Sequence, residues 1–149
     1  MSNKVSFQLE KKGFPVNIGE VEFFFGTTTE ELTRFFDVQA EFENKAKELK
    51  QQLKQIKNID EPKKEDAIQI VDLTKKLAKA QYDSLLGEGS FEKIYSVYPD
   101  AEQLIEIFDP ISFEIAEAIE KEALKRKDII SKKKADLLKK KALKNKKKK

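Results

Sequence analysis

The chain has 149 residues and neither cysteine nor histidine, which excludes disulfides, thiol nucleophiles, Ser/His triads and thiolate or imidazole metal centres. Charged residues make up 38% and hydrophobic ones 39%, a balance suited to helices with wide solvated faces rather than to a thick globule. The formal net charge of +3 hides a polarity: residues 125–149 hold 14 of the 30 basic residues against Asp128 and Asp136, while the remainder carries 16 basic against 25 acidic.

This asymmetry, a local +12 attached to a body of −9, points to binding rather than chemistry. The expected division is a single helical domain over 1–124, with an N-terminal β-hairpin at about 4–26, and a lysine-rich tail over 125–149. The N-terminal residues lack a basic segment followed by an apolar one, and no apolar run reaches 18 residues. A soluble, unsecreted protein that does not enter a membrane is the expectation.

In chain order, Val5, Phe7 and Leu9 alternate, and so do Val21, Phe23 and Phe25, with Lys12-Gly13 and Phe14-Pro15 between. Two strands in a hairpin follow from this period of two. Phe24 points the other way, either covered by a neighbouring helix or exposed as an anchor for a partner. Thr27 or Thr28 followed by Glu30 or Glu31 reads as a helix cap. From there Leu32, Phe35, Phe42, Ala46, Leu49, Leu53 and Ile56 form a stripe interrupted by Gln39, predicting a helix of about 28 residues.

Residues 58–62 break that helix, with Asp60 able to cap the next and Pro62 expected near its first turn. The second helix runs to Leu86 and presents Ile68, Val71, Leu77, Ala78, Tyr82 and Leu85, so the two can pair as an antiparallel hairpin. Gly87-Glu88-Gly89 stops it, marking Gly87 and Gly89 as hinge or turn residues. A short helix restarts at Ser90. Pro99-Asp100 marks a new cap, Ala101 to Phe108 another turn or two of helix, and Asp109-Pro110 the start of a last helix using Ile111, Ile115, Ala118, Ile119 and Leu124. In the tail, Ile129-Ile130, Leu137-Leu138 and Leu143 alternate with the triplets Lys132, Lys133, Lys134 and Lys139, Lys140, Lys141. That spacing extends the last helix to about 140, with residues 144–149 frayed. The fold class is mainly α with a small N-terminal β-hairpin.

No catalytic constellation emerges. Gly87-x-Gly89 lacks the third glycine of a dinucleotide loop and the lysine and hydroxyl of a phosphate loop. Many carboxylates stand four residues before a base, as in Glu43/Lys47, Glu117/Lys121 and Glu122/Arg126, the order of surface ion pairs. Glu114, Glu117 and Glu120 have no calcium-loop spacing, so neither metal nor cofactor is expected. The tail lysines can neutralise phosphates, but they lack interleaved aromatics and have only Arg126 for bidentate readout. Composition allows non-specific nucleic-acid binding, and it allows docking of the tail on the acidic body of a neighbouring copy.

The segment from Leu85 through Gly87-Glu88-Gly89, Phe91 and Lys93-Ile94-Tyr95, followed by Tyr98-Pro99-Asp100 and Leu104-Ile105-Glu106-Ile107-Phe108, resembles the tail assembly chaperones of long, non-contractile-tailed phages of Gram-positive bacteria, lactococcal type. The resemblance implies a non-enzymatic chaperone that coats and solubilises the tape measure protein in the host cytoplasm and is absent from the mature virion. It implies self-association into a homo-oligomer, and contact with the tail tube protein or with a longer frameshifted form as further partners. Phe24, Phe35, Phe36 and Phe42 are then candidates for one end of an apolar groove for an amphipathic client helix, although each is also the kind of residue a core buries. Lys146 to Lys149 is what an adenine-rich slippery site would encode; a gene without such a run would remove this hypothesis. The alternatives are a basic-tailed nucleic-acid-binding accessory protein and a coiled-coil component of the virion.

Overall fold

The computed structural model describes residues 3–126 and 129–147. Two strands, β1 (Gly13–Ile18) and β2 (Val21–Gly26), precede helices α1 (Thr29–Lys57), α2 (Lys64–Leu86), α3 (Ser90–Tyr95), α4 (Ala101–Arg126) and α5 (Ile129–Lys147). The protein is mainly helical, with one antiparallel two-stranded hairpin.

The hairpin uses a different first strand from the expected 5–9. Gly19 takes φ 60 in a two-residue turn that pairs Ile18 with Val21, and turns this short set the register directly. Val16 then faces Phe23 and Phe14 faces Phe25, so the period-two apolar face of β2 finds a matching face immediately before the turn. Counting from the turn, the pair Pro15 and Phe24 falls at a non-hydrogen-bonded position, where a missing N–H is harmless. Val5, Phe7 and Leu9 keep their alternation but are 78%, 83% and 94% exposed.

Thr28 caps α1: its Oγ1 accepts the Glu31 N–H at 3.1 Å, and its hydroxyl donates to the Glu31 carboxylate at 2.9 Å. Leu32, Phe35, Ala46, Leu49 and Leu53 are buried along the predicted stripe, and Gln39 is buried among them. The loop to α2 contains Asp60 and Pro62, neither of which serves the cap. The Lys63 N–H instead takes the Asp66 carboxylate at 2.8 Å, and α2 starts one residue later.

On α2 the buried residues include Leu73, Leu77, Ala78, Tyr82 and Leu85, while Ile68 and Val71 are exposed, contrary to the expected face. At that end α2 has α1 as its main partner, with Leu73 and Leu77 meeting Leu49 and Leu53, and Ile105 of α4 behind them. One partner covers one stripe, and at 100° per residue Ile68 and Val71 lie off it.

The break expected at Asp109-Pro110 is also absent. Asp100 caps α4 by accepting the Gln103 N–H at 3.1 Å, and the helix passes through Pro110 to Arg126. Pro110 is exposed, so the carbonyl it leaves without an intrahelical partner faces water, while Phe108, Ser112 and Ile115 hold the inner face. Near the end of α4, Ala123 is buried and Leu124 exposed.

The basic segment is helical, as its spacing predicts, but as an element of its own. Lys139 on α5 reaches Glu117 and Glu120 on α4, so α5 turns back antiparallel to α4 and also touches α1. Among the side chains of α5 that the structure describes, Ala135, Leu138 and Ala142 are buried, and Leu137 and Leu143 are exposed. The helix extends to Lys147 rather than ending near 140. The side chains of Ile129 and Ile130, and the expected fraying at Lys148 and Lys149, lie outside the described residues.

Two apolar clusters result among the described residues. The larger joins the hairpin, the start of α1, the end of α2, α3, α4 and α5; the smaller sits between the far halves of α1 and α2.

Candidate functional site

The four phenylalanines singled out in the sequence do not form one groove. Phe35 is buried and edge-on to Phe25 at 5.2 Å and to Phe36 at 5.0 Å, and Phe25 stacks on Phe14 at 5.3 Å. These rings form a continuous aromatic seam between hairpin and helix, favoured by offset and edge-to-face geometry. Phe24 lies on the opposite face of β2, 44% exposed, with the Lys11 ammonium 4.6 Å above its ring. Phe36 is half-buried beneath Lys134, and Phe42 lies about two turns along α1, against the smaller cluster.

Phe42 does line a cavity of about 170 Å³ where α1, α2, α4 and α5 converge. Ala46, Phe108, Ser112, Leu138 and Ala142 contribute to its wall, with Glu43, Lys47, Lys50 and Lys141 among its polar lining residues. Two glutamines on its wall behave differently. Gln39 donates through Nε2 to the Ser84 carbonyl at 3.0 Å and the Ser84 hydroxyl at 3.2 Å. Gln81 is 4% exposed, and its Oε1 has no hydrogen-bond partner among the described residues. A buried acceptor without a donor is costly and calls for a reason. The reading of the sequence missed Gln81, although it interrupts the apolar face at Leu77, Ala78 and Leu85 as plainly as Gln39 interrupts α1.

No family model, curated protein or solved structure matches the chain.

The basic triplets divide by orientation. Lys132, Lys133 and Lys140 are exposed, whereas Lys134, Lys139 and Lys141 turn inward. Lys134 donates to the Thr33 hydroxyl at 2.7 Å, Lys141 approaches Glu43 at 3.6 Å, and Lys139 lies between Glu120 at 2.5 Å and Glu117 at 3.5 Å. The hydrogen bond from Lys139 holds the Glu120 carboxyl below its ordinary value and raises the Lys139 ammonium in turn. Glu43 and Glu117 therefore serve α5 rather than bases on their own helices. Glu122 does pair with Arg126 at 3.6 Å; it also accepts the hydroxyl of buried Thr27, tying the end of α4 to the start of α1.

Gly87 and Gly89 form the turn between α2 and α3, with φ 109 and φ 89. Asp83 stabilises it by accepting the Phe91 N–H at 3.0 Å. Lys79 bridges Asp83 at 3.0 Å and Glu92 at 2.6 Å across the same turn, lowering the Glu92 carboxyl. Among the described residues no group of three or more acidic side chains is placed to hold a metal ion, and no helix is long and apolar enough to cross a membrane.

Proposed function

We propose that the protein is a non-catalytic holder of an elongated helical client: a tail assembly chaperone that keeps the tape measure protein of a long-tailed phage soluble in the host cytoplasm and is left out of the finished particle. The observation that carries this reading is the dispersal of its exposed apolar side chains. Val5, Phe7 and Leu9 lie along one arm, Phe24 on the outer face of the hairpin, and Ile68 with Val71 one turn apart on α2. An exposed apolar arm, with further contact points on a charged body, suits many weak contacts along a rod-like partner, multiplied by self-association. The likeness of the Gly87-Glu88-Gly89 segment to the phage chaperones supports the same reading. Homo-oligomerisation, contact with the tail tube protein and a longer frameshifted form belong to this proposal.

Co-expression with the tape measure protein tests it. The client is expected in the soluble fraction with the full chain and in the pellet without it; a client that stays insoluble in both defeats the reading. A second reading rests on Lys132, Lys133 and Lys140, which remain exposed on the outer side of α5. Sub-micromolar binding of duplex DNA that persists at physiological salt would favour a nucleic-acid accessory protein instead.

A further inference from the structure

The chain carries an apolar strand sequence and an apolar cleft that do not meet within one molecule. Residues 3–12 form neither strand nor helix, and Val5, Phe7 and Leu9 are exposed along them. Their period of two gives an extended segment one apolar face, with Ser6, Gln8 and Glu10 on the other. The cleft, of about 210 Å³, opens between β1 and α4. Phe14, Val16, Ile111, Ile115 and Ala118 contribute to its lining, and Glu114 is the one charged residue among the described lining residues. An apolar cavity of about 150 Å³ takes one benzene, so this cleft has room for a phenylalanine ring.

The arm is led away from its own cleft. The Lys12 carbonyl accepts the Thr27 N–H at 3.2 Å, prolonging the pairing with β2 beyond Gly13, and the Lys11 ammonium lies over the Phe24 ring. A return along β1 needs a reversal within Leu9-Glu10-Lys11-Lys12, which has none of the Gly, Pro, Asn or Asp that tight turns favour, and it pulls Lys11 off Phe24. A second copy brings the same arm to the cleft with no reversal. On its free side β1 presents the N–H and C=O of Gly13 and Asn17 but only the C=O of Pro15. That missing donor makes the edge a poor template for an arbitrary strand, so side chains select the occupant. Residues 3–12 hold three lysines against Glu10, a charge that suits Glu114.

From these observations we infer that the cleft between β1 and α4 receives the N-terminal arm of a second copy, laid beside β1 with Val5, Phe7 and Leu9 toward α4. Arm and cleft belong to one chain, so the contact repeats from copy to copy. The inference rests on the self-association within the chaperone reading and names its interface, leaving Phe24, Ile68 and Val71 exposed for the client.

The test uses the full chain, which has no cysteine of its own. Sedimentation should show concentration-dependent self-association, and F7E/L9E, altered only in the exposed arm, should weaken it by at least about tenfold. Chains carrying V5C and chains carrying A118C, mixed under mild oxidation, should give a disulfide-linked dimer, and F7E/L9E added to the V5C chain should abolish it. The double variant V5C/A118C should link between chains. The inference is overturned by a wild-type chain that stays monomeric, by F7E/L9E that associates as wild type does, or by V5C/A118C linked within single chains at every dilution. A V5C chain that links to a cysteine-bearing tape measure protein but never to A118C assigns the arm to the client and overturns it too. Cross-linked copies that leave the client insoluble remove the chaperone reading and keep the arm contact; a monomeric chain that solubilises the client does the reverse.

Discussion

Lys139 on α5 places its ammonium 2.5 Å from a carboxylate oxygen of Glu120 on α4, so the lysine-rich segment is joined to the acidic body through a contact that depends on both charges. The Glu120 carboxyl lies below its ordinary value of 4.5, and its contribution is present above that value and lost as pH falls from it through the lowered folded-state value. The Lys139 ammonium lies above its ordinary 10.5, so its contribution is complete below that value and lost as pH rises through the raised one. Protection of the α5 amides, taken relative to their intrinsic exchange rates at each pH, should therefore be greatest between these limits and fall as pH drops below the ordinary carboxyl value. Glu120→Gln should flatten the acid limb; an unchanged limb would show that this pair does not govern α5 docking.

Tyr82 is wholly buried, donates its hydroxyl to the Leu104 carbonyl at 2.6 Å and meets the Phe108 ring edge-on at 5.4 Å. Burial raises its phenol well above the usual range. Tyr82→Phe should cost about 1 kcal/mol in urea unfolding, and Tyr82→Ala about 4 kcal/mol. Similar costs for the two would mean that the hydroxyl, rather than the ring, carries the site.

The two turn glycines should differ. Gly87 combines φ 109 with ψ 157, and Gly89 φ 89 with ψ −6. An added Cβ would meet nothing within 4 Å at Gly89 and only Ser90 Oγ at 4.0 Å from Gly87, so the cost is one of backbone conformation. Gly87→Ala should destabilise by about 2–3 kcal/mol and Gly89→Ala by about 1 kcal/mol. Gly89→Asn should be milder than Gly89→Ala, because asparagine tolerates left-handed backbone. Chemical denaturation of the three variants checks the order.

Replacing Gln81 by methionine removes an unsatisfied buried acceptor while keeping similar bulk. The variant should be more stable by about 1 kcal/mol. A loss of stability would reveal that the Gln81 amide is satisfied in solution.

Ile68 and Val71 are exposed and make little of the core. I68E/V71E should leave unfolding free energy within about 0.5 kcal/mol of wild type while lowering the amount of soluble tape measure protein in co-expression. If client solubility is unaffected, this face has no part in client holding.

Residues with local instructions were legible in the sequence. Thr28 with Glu31, Asp100 with Gln103, and Gly87 with Gly89 announce caps and a turn through neighbours within a few positions, and those boundaries could be read from residue type. The register of the hairpin was less so, because Val5, Phe7 and Leu9 offer the same alternation as Phe14, Val16 and Ile18; the two-residue turn at Gly19 chooses the nearer set. Of the candidate site, Phe42 was marked in advance, but the cavity beside it was not, since its walls come from four helices distant in sequence.

The sequence by itself therefore determined the helical class, the sites of capping and turning, and the separation of an acidic body from a lysine-rich end, all consequences of short-range backbone preferences and composition. Tertiary structure alone decided that Ile68 and Val71 face water, that α4 runs through Pro110, and that the basic segment turns back to place Lys139 against Glu120. The physical reason is that a helix carries several faces able to be buried, and which one is covered depends on partners that periodicity along the chain does not name.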